Sequence, residues 1–292
     1  MQQVTGKLPI SRLRADRLST QALCELWNQA FVDYFVPMQL TRERFMALVR
    51  HELVSLPDSF VAFAGGRAVG LALLGLRAEG RKTAGYVAGT AVVPDYRRQG
   101  LGRMLMQALL DQAKDLSVGR ITLTAVSENA SAIQLYQQLG FKIVRHLTCW
   151  EKTLSRGRRP KPPAELSLQP VLPREVRSLC SACYRQAPEW QNRPDGEKLQ
   201  LAQAVLALWK DIPVGYALYA GRDPLHLYQL GVLPEWRRQG IGRELFRYLS
   251  AGKPAAQLIY LNHPQEEPEA AAWLQTMGCS IFLKQVEMLL SL

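Results

Sequence analysis

The sequence predicts a mixed α/β domain built twice in one chain. Three observations carry that prediction. Residues 94 to 103 read Pro-Asp-Tyr-Arg-Arg-Gln-Gly-Leu-Gly-Arg, and residues 234 to 243 read Pro-Glu-Trp-Arg-Arg-Gln-Gly-Ile-Gly-Arg. Val69-Gly70-Leu71-Ala72-Leu73 recurs as Val214-Gly215-Tyr216-Ala217-Leu218, with small loop deletions between the copies. Strand-like runs and helical patterns follow in the same order in both halves. The length, 292 residues, accommodates two ordinary domains.

The elements follow from local patterns. Pro9 to Leu13 reads as a short strand. Ser19 caps a helix running through Phe31, and Thr41 caps a second with Glu43 in its first turn. Phe60 to Ala64, Ala68 to Leu76 and Gly85 to Val93 read as strands, the first two joined as a hairpin. A helix opens at Gly100, with Leu101, Met104, Leu105, Ala108 and Leu109 at helical spacing. Ile121 to Val126 is a strand, Asn129 to Leu139 a helix, and Phe141 starts another strand. The second half repeats this order from Leu166. The expected boundaries are a first domain over 1–154, a basic proline-rich linker over 155–164 and a second domain over 165–292. Prolines remove backbone donors and like charges repel, so such a linker is extended.

Hydrophobic residues make up 48% of the chain and charged residues 21%, an ordinary soluble composition. The formal net charge is +11, which suits an anionic ligand. Two phosphate sites and a basic linker account for part of it, and no RNA-binding signature is present, so nucleic acid is not the expected partner. The five cysteines are odd in number and irregular in spacing, which argues against a disulfide framework. Cys180 and Cys183 lack two further zinc ligands nearby and read as packing residues. None of the four histidines has metal-type spacing. Without an apolar signal region or a bilayer-length apolar run, the expected location is the cytoplasm, as a monomer or homodimer.

The chemistry sits in the glycine bend. Glycines admit positive φ and close approach of a ligand. Free amides at a helix start, together with the helix dipole, form a pyrophosphate cradle. Arg97, Arg98 and Arg103 add charge. The pattern is neither a Walker loop, since no Gly-Lys-Ser/Thr follows, nor a dinucleotide fingerprint.

The stretch Thr90-Ala91-Val92-Val93-Pro94-Asp95-Tyr96-Arg97-Arg98-Gln99-Gly100-Leu101-Gly102 resembles the acetyl-CoA motif of the GNAT N-acetyltransferase superfamily. Downstream, Asn129-x-x-Ala132-x-x-Leu135-Tyr136-x-x-x-Gly140-Phe141 resembles that family's second motif. The likeness covers residues 9 to 154 and, in the second half, Leu166 to Leu249. It implies two tandem domains, each with a central, mostly antiparallel twisted sheet flanked by helices. It implies acetyl-CoA as donor and a primary amine, of a small molecule or a protein N-terminus, as acceptor. The backbone of Ala91, Val92 and Val93 would bond the pantetheine arm and the acetyl carbonyl, and Arg98, Gln99, Gly100, Leu101, Gly102 and Arg103 would cradle the pyrophosphate, with Arg97 adding charge to the coenzyme site. Asn129 would contact the arm, and Tyr136 would face the sulfur and protonate the leaving thiolate.

No general base is assigned. Some relatives place a glutamate where Thr124 stands; Glu128, Asp33 and an ordered water are alternatives. Leu23, Trp27, Ala30 and Phe31 share a helical face and belong to the core. The following loop, with Tyr34 and Phe35, either lines the acceptor pocket or plugs the core. In the second copy Val232, Arg237, Arg238, Gln239, Gly240, Ile241 and Gly242 are retained, but Leu274 stands at the Tyr136 position and Glu267 at the Asn129 position. A leucine cannot donate a proton, so one competent site is expected, in the N-terminal half. The second half then holds CoA, shapes the acceptor pocket or mediates dimerisation; the opposite assignment of halves also stands. A CoA-binding sensor or scaffold without turnover is the alternative function.

Overall fold

A computed structural model describes residues 10–154, 162–184, 186–193, 201–251 and 255–292. The chain forms two compact units, Met1–Val144 with Met288–Leu292, and Arg145–Glu287. This displaces the boundary expected at 154 and 165. The strand β6 (Lys142–Thr153) closes the first copy in sequence, yet its Leu147–Thr153 portion pairs antiparallel with β11 (Gln257–Pro264). The last residues of β12 (Ser280–Ser291) and Leu292 return to the N-terminal unit, where the Leu292 amide donates to Gly119 at 3.2 Å. Strands follow their hydrogen-bonding partners rather than their chain order. Most of the expected linker, residues 155–161, lies outside the described residues.

In the N-terminal unit the strand order is β1 (Ile10–Arg14), β2 (Phe60–Ala64), β3 (Arg67–Glu79), β4 (Lys82–Val92) and β5 (Val118–Val126). The first three pairings are antiparallel, and β4 with β5 is parallel. Ser19 caps α1 (Thr20–Ala30) by accepting from the Ala22 amide, and Thr41 caps α2 (Arg42–His51) by accepting from Arg44. The apolar face of α1, Leu23, Leu26, Trp27 and Ala30, is buried together with Phe45 of α2 and Leu71 and Leu73 of β3. Each such side chain contributes roughly 1.5–3 kcal/mol on burial. The helix α3 (Leu101–Asp115) buries Leu105, Met106 and Leu109, and α4 (Ala130–Gln138) follows β5.

The C-terminal unit repeats the plan: β7 (Leu166–Val171), α5 (Arg177–Cys183), β8 (Gln203–Trp209), β9 (Ile212–Ala220), β10 (Leu225–Val232), α6 (Ile241–Ser250), β11 and α7 (Pro268–Thr276). Its parallel pair is β10 with β11. Cys180 and Cys183 pack with Val176, Tyr216 and Leu218, and burial pushes the Cys183 thiol up to about 12. No helix among the described residues is long and apolar enough to cross a membrane.

Candidate active site

The bend forms where β4 ends. A 3-10 turn over Pro94–Tyr96 leads to Arg97, which is extended. Arg98 then takes φ 59° and Gly100 φ 82°, and α3 begins. The left-handed value costs a non-glycine residue about 1–2 kcal/mol, so Arg98 must be held there by its neighbours. Among the described residues the amides of Arg98 to Arg103 donate to no backbone carbonyl; the helical ladder starts with Met104 bonding Gly100. The bend therefore presents a run of free donors at a helix N-terminus. Arg98 and Gln99 are exposed, Leu101 is buried beneath, and exposed Arg103 donates to Gln138 at 2.7 Å.

Arg97 supplies the hold. Its Nε donates to the Val92 carbonyl at 2.9 Å and its Nη2 to the Ala30 carbonyl at 3.1 Å. Two further bonds reach the Asp33 carboxylate, at 2.8 and 2.6 Å. This guanidinium ties the bend to the end of α1. The same bonds engage both Asp33 oxygens and hold its carboxyl below the ordinary aspartate range. A carboxylate so stabilised is a weak proton acceptor.

Beyond the bend the sheet opens. The parallel pairing of β4 with β5 covers Thr83–Tyr86 opposite Val118–Thr122 and then stops. A bulge at Ala88 interrupts the β3–β4 register, between Gly89 opposite Leu73 and Val87 opposite Leu74. Bulges bend a strand, which lets the outer half of β4 leave β5. Behind it, a Cβ on Gly89 would lie 2.5 Å from the Trp27 ring, so only glycine lets α1 approach here. Backbone polar groups alternate sides along a strand. Val93 donates to Val69 at 2.8 Å, so Val93 and Ala91 face β3, while Thr90 and Val92 face the opening. The open-side backbone thus belongs to Thr90 and Val92; Ala91 and Val93 are turned inward. Thr90 was missed in the sequence, although alternation from a single anchored strand pair identifies it.

The far wall is α4. Asn129 caps it, Oδ1 accepting from the Ala132 amide at 3.2 Å and from the Ser131 hydroxyl at 3.1 Å. Tyr136 is buried, edge-on to Phe141 at 6.0 Å. Its hydroxyl meets the Thr90 side chain, which in turn donates to Met106 Sδ at 3.2 Å. Burial first, and then the nearby Tyr34, raise the Tyr136 pKa well above the ordinary tyrosine value, so the phenol keeps its proton. Tyr34 directs its hydroxyl at the Asn129 side chain and the Val126 backbone, and burial raises it too. Its ring stands edge-on to Phe31 at 5.2 Å and Phe35 at 5.5 Å. The loop after α1 therefore divides: Tyr34 joins the site, whereas Phe35 is 52% exposed. Thr124 bonds the Tyr86 hydroxyl at 3.0 Å, and Glu128 is exposed.

The second bend repeats the first. Gly240 takes φ 84° and Arg238 φ 66°, and among the described residues the amides of Arg238 to Arg243 likewise meet no backbone acceptor. Arg237 donates from Nε to Val232 at 3.2 Å and from Nη2 to Cys183 at 2.9 Å, the same clamp without a carboxylate. Gln239 is exposed, Ile241 is buried and Gly242 is half-buried. Leu274 is buried where Tyr136 stands, and Glu267 precedes α7 without capping it.

This paired architecture is that of the acetyltransferase (GNAT) family, which the chain matches over residues 20–141 and again over 174–278. The chain belongs to that family. It is 49% identical over 51 residues to the [Ribosomal protein bS18]-alanine N-acetyltransferase of Escherichia coli (strain K12), 18% of this chain and 34% of that protein. The match thus spans about a third of the relative's length. Among solved structures it is similar to a GCN5-related N-acetyltransferase from Sphaerobacter thermophilus, with TM-score 0.73, 18% identity, and 97% and 96% of the two chains covered. A tandem GNAT protein from the clavulanic acid biosynthesis pathway gives TM-score 0.70 at 18% identity, covering 98% of each chain. At such identities the likeness is one of fold.

Proposed function

We propose that the N-terminal unit transfers an acetyl group from acetyl-CoA to a primary amine, either of a small molecule or of a protein N-terminus, in the cytoplasm. One observation carries the reading. The free amides of the Arg98–Arg103 bend continue into the open-side backbone of Thr90 and Val92, and that line ends at the Tyr136 hydroxyl. These residues fit the donor. The bend offers charge-assisted hydrogen bonds to a diphosphate, with Arg98 and Arg103 alongside. The Thr90 amide and carbonyl offer strand-like bonds to an extended arm, the Val92 carbonyl being taken by Arg97. Bound acetyl-CoA supplies a thioester open to attack by a neutral amine.

The remaining chemistry belongs to the chain. The Val92 amide, on the open side of the strand, would hold an acyl oxygen as charge develops there. Tyr136 holds its proton at the sulfur end, where a desolvated thiolate is also more basic than in water. Asn129, its oxygen committed to the cap and its amide nitrogen shared with Tyr34, would orient the arm through its remaining amide hydrogen. The E. coli relative's name supports an α-amine of a protein among the acceptors.

The test is acetyl transfer to a panel of small amines and N-terminal peptides. Tyr136→Phe should lower kcat about 10²-fold, the lower range for a general acid, while the KM for acetyl-CoA stays put. Turnover untouched by that substitution would remove the acid role. Coenzyme binding without turnover on any amine would favour the sensor reading.

A further inference from the structure

In the C-terminal unit the slot beside the glycine bend is filled by the chain itself. The parallel pairing of β10 with β11 covers only Leu225–His226 opposite Leu258–Ile259, after which the strands part as β4 and β5 do. Tyr184 and residues 186–193, which follow α5, enter the gap. Leu230 stands where Thr90 stands in the first copy, two residues before the last valine of the strand. Its amide donates to the Tyr184 hydroxyl at 3.1 Å, and that hydroxyl donates to the Leu230 carbonyl at 3.4 Å. Asn192 spans both strands: its carbonyl accepts from the Gln229 side chain on β10, and its side-chain amide donates to Leu261 on β11 at 2.6 Å. Glu189 accepts from Asn262 at 2.9 Å and from the Gln191 amide at 2.8 Å. Glu189, Trp190 and Asn192 are buried. The cavity left among these groups is about 10 Å³. That is space for roughly one water, with no room for a chain of methylenes and amides.

We infer that Tyr184 and residues 186–193 act as a built-in occupant of the coenzyme slot in the C-terminal unit, so that the protein holds one acyl-coenzyme per chain, in its N-terminal unit. The identity of the excluded ligand rests on the function proposed above. The plug takes the Leu230 amide and carbonyl, the polar groups that at Thr90 are turned to the opening. A coenzyme entering the second slot must break the Tyr184 and Asn192 bonds and bare the buried Gln229 and Glu189. Unsatisfied buried polar groups each cost about 1–3 kcal/mol, more for a carboxylate. The retained second bend does not offset several of them, since its amides touch only one end of such a ligand.

The test uses the full chain with coenzyme A, read by native mass spectrometry for stoichiometry and by amide hydrogen exchange for location. The expected result is one coenzyme per chain. Exchange over residues 90–103 slows about tenfold or more, while residues 229–243 are unchanged by the ligand and already slow at Leu230. Two coenzymes per chain, or ligand-dependent slowing over 229–243, would overturn the inference. Binding of none at millimolar coenzyme would sink the proposed transferase function while upholding an excluded second slot. Tyr184→Phe adds a second arm: loss of one hydroxyl leaves Asn192 in place, so stoichiometry stays at one, with faster exchange confined to Leu230. A second coenzyme in that variant would show that the plug is weaker than inferred.

Discussion

Two bends of nearly equal shape lead to two different slots. Gly100 and Gly240 differ by 2° in φ, from 82° to 84°, and Arg97 and Arg237 clamp their bends through the same carbonyl position, Val92 and Val232. Past the bends the likeness ends. In the N-terminal unit the strand backbone at Thr90 faces an opening walled by Tyr136. In the C-terminal unit the matching Leu230 is bonded to Tyr184, and Leu274 replaces the phenol. A preserved glycine bend therefore does not by itself preserve an open slot beside it. Anion-binding geometry comes from local backbone, which a duplicated sequence keeps easily, whereas the slot depends on what a distant segment places between two strands.

The sharpest way to break this comparison is to damage each bend alone. Gly100→Val places a β-branched residue at positive φ, which costs about 1–2 kcal/mol of strain, and misaims at least two charge-assisted hydrogen bonds at about 1.5 kcal/mol each. The coenzyme Kd should rise about 10³-fold by titration calorimetry. Gly240→Val should leave the Kd within about twofold, because that bend binds no coenzyme. Equal losses from both substitutions would mean that the two slots are alike after all.

Acid should separate the units next. His263, beside Tyr260 and 3.9 Å from the Glu267 carboxylate, is buried, and desolvation pushes its imidazole down to about 4. The unfolded chain binds this proton near the ordinary value of 6.5, so between 6.5 and 4 the unfolded state holds more protons than the folded one. Stability from this group is full above that window and falls as pH drops through it, by about 3 kcal/mol at pH 4. The matching position in the N-terminal unit is Ala125, which does not titrate. Urea unfolding of wild type against His263→Leu from pH 4 to 7 should give a steeper acid loss in the wild type. Parallel profiles would refute the assignment.

Arg98→Ala should weaken coenzyme binding about tenfold, one charge-assisted contact, with a shallower salt dependence; Arg238→Ala should change neither. Calorimetry at two salt concentrations reads both. A loss from Arg238→Ala would assign ligand contact to the second bend.

Much of this was readable in the chain before folding, because the readable parts are local. The helix caps Ser19 and Thr41, the bend and the repeat each lie within a few residues of their signals. What escaped is long-range. The sequence marks Arg97 as one more cation; only its pairing with Asp33, 64 residues away, makes it a clamp. Whether Ala91 or Thr90 faces the opening depends on the bond from Val93 to Val69. Tyr184 sits in an unremarkable stretch after a helix, and nothing local announces that it reaches Leu230. The exchange of β6 and β12 ends between units is likewise invisible to spacing, since strands carry no mark of their partner.

The smallest expected effect tests the clamps themselves. Arg97 and Asp33 are partly exposed, 40% and 52%, so their ion pair should contribute less than about 1 kcal/mol. Asp33→Asn should therefore lower stability slightly and leave the coenzyme Kd within about twofold, because the Arg97 bonds to Ala30 and Val92 remain. The sign with pH follows from the depressed Asp33 carboxyl. Its contribution is complete above the ordinary aspartate value and disappears as pH falls through the lowered folded one. The Arg237 clamp rests on two carbonyls, which do not titrate in this range, and should be indifferent to acid. A thermodynamic cycle of Asp33→Asn and Arg97→Met, measured at neutral and acid pH, isolates the pair. Coupling that vanishes in acid would assign it to the carboxylate. Coupling unchanged by acid, or a large loss of coenzyme affinity in Asp33→Asn, would return Asp33 to the list of groups that act on substrate.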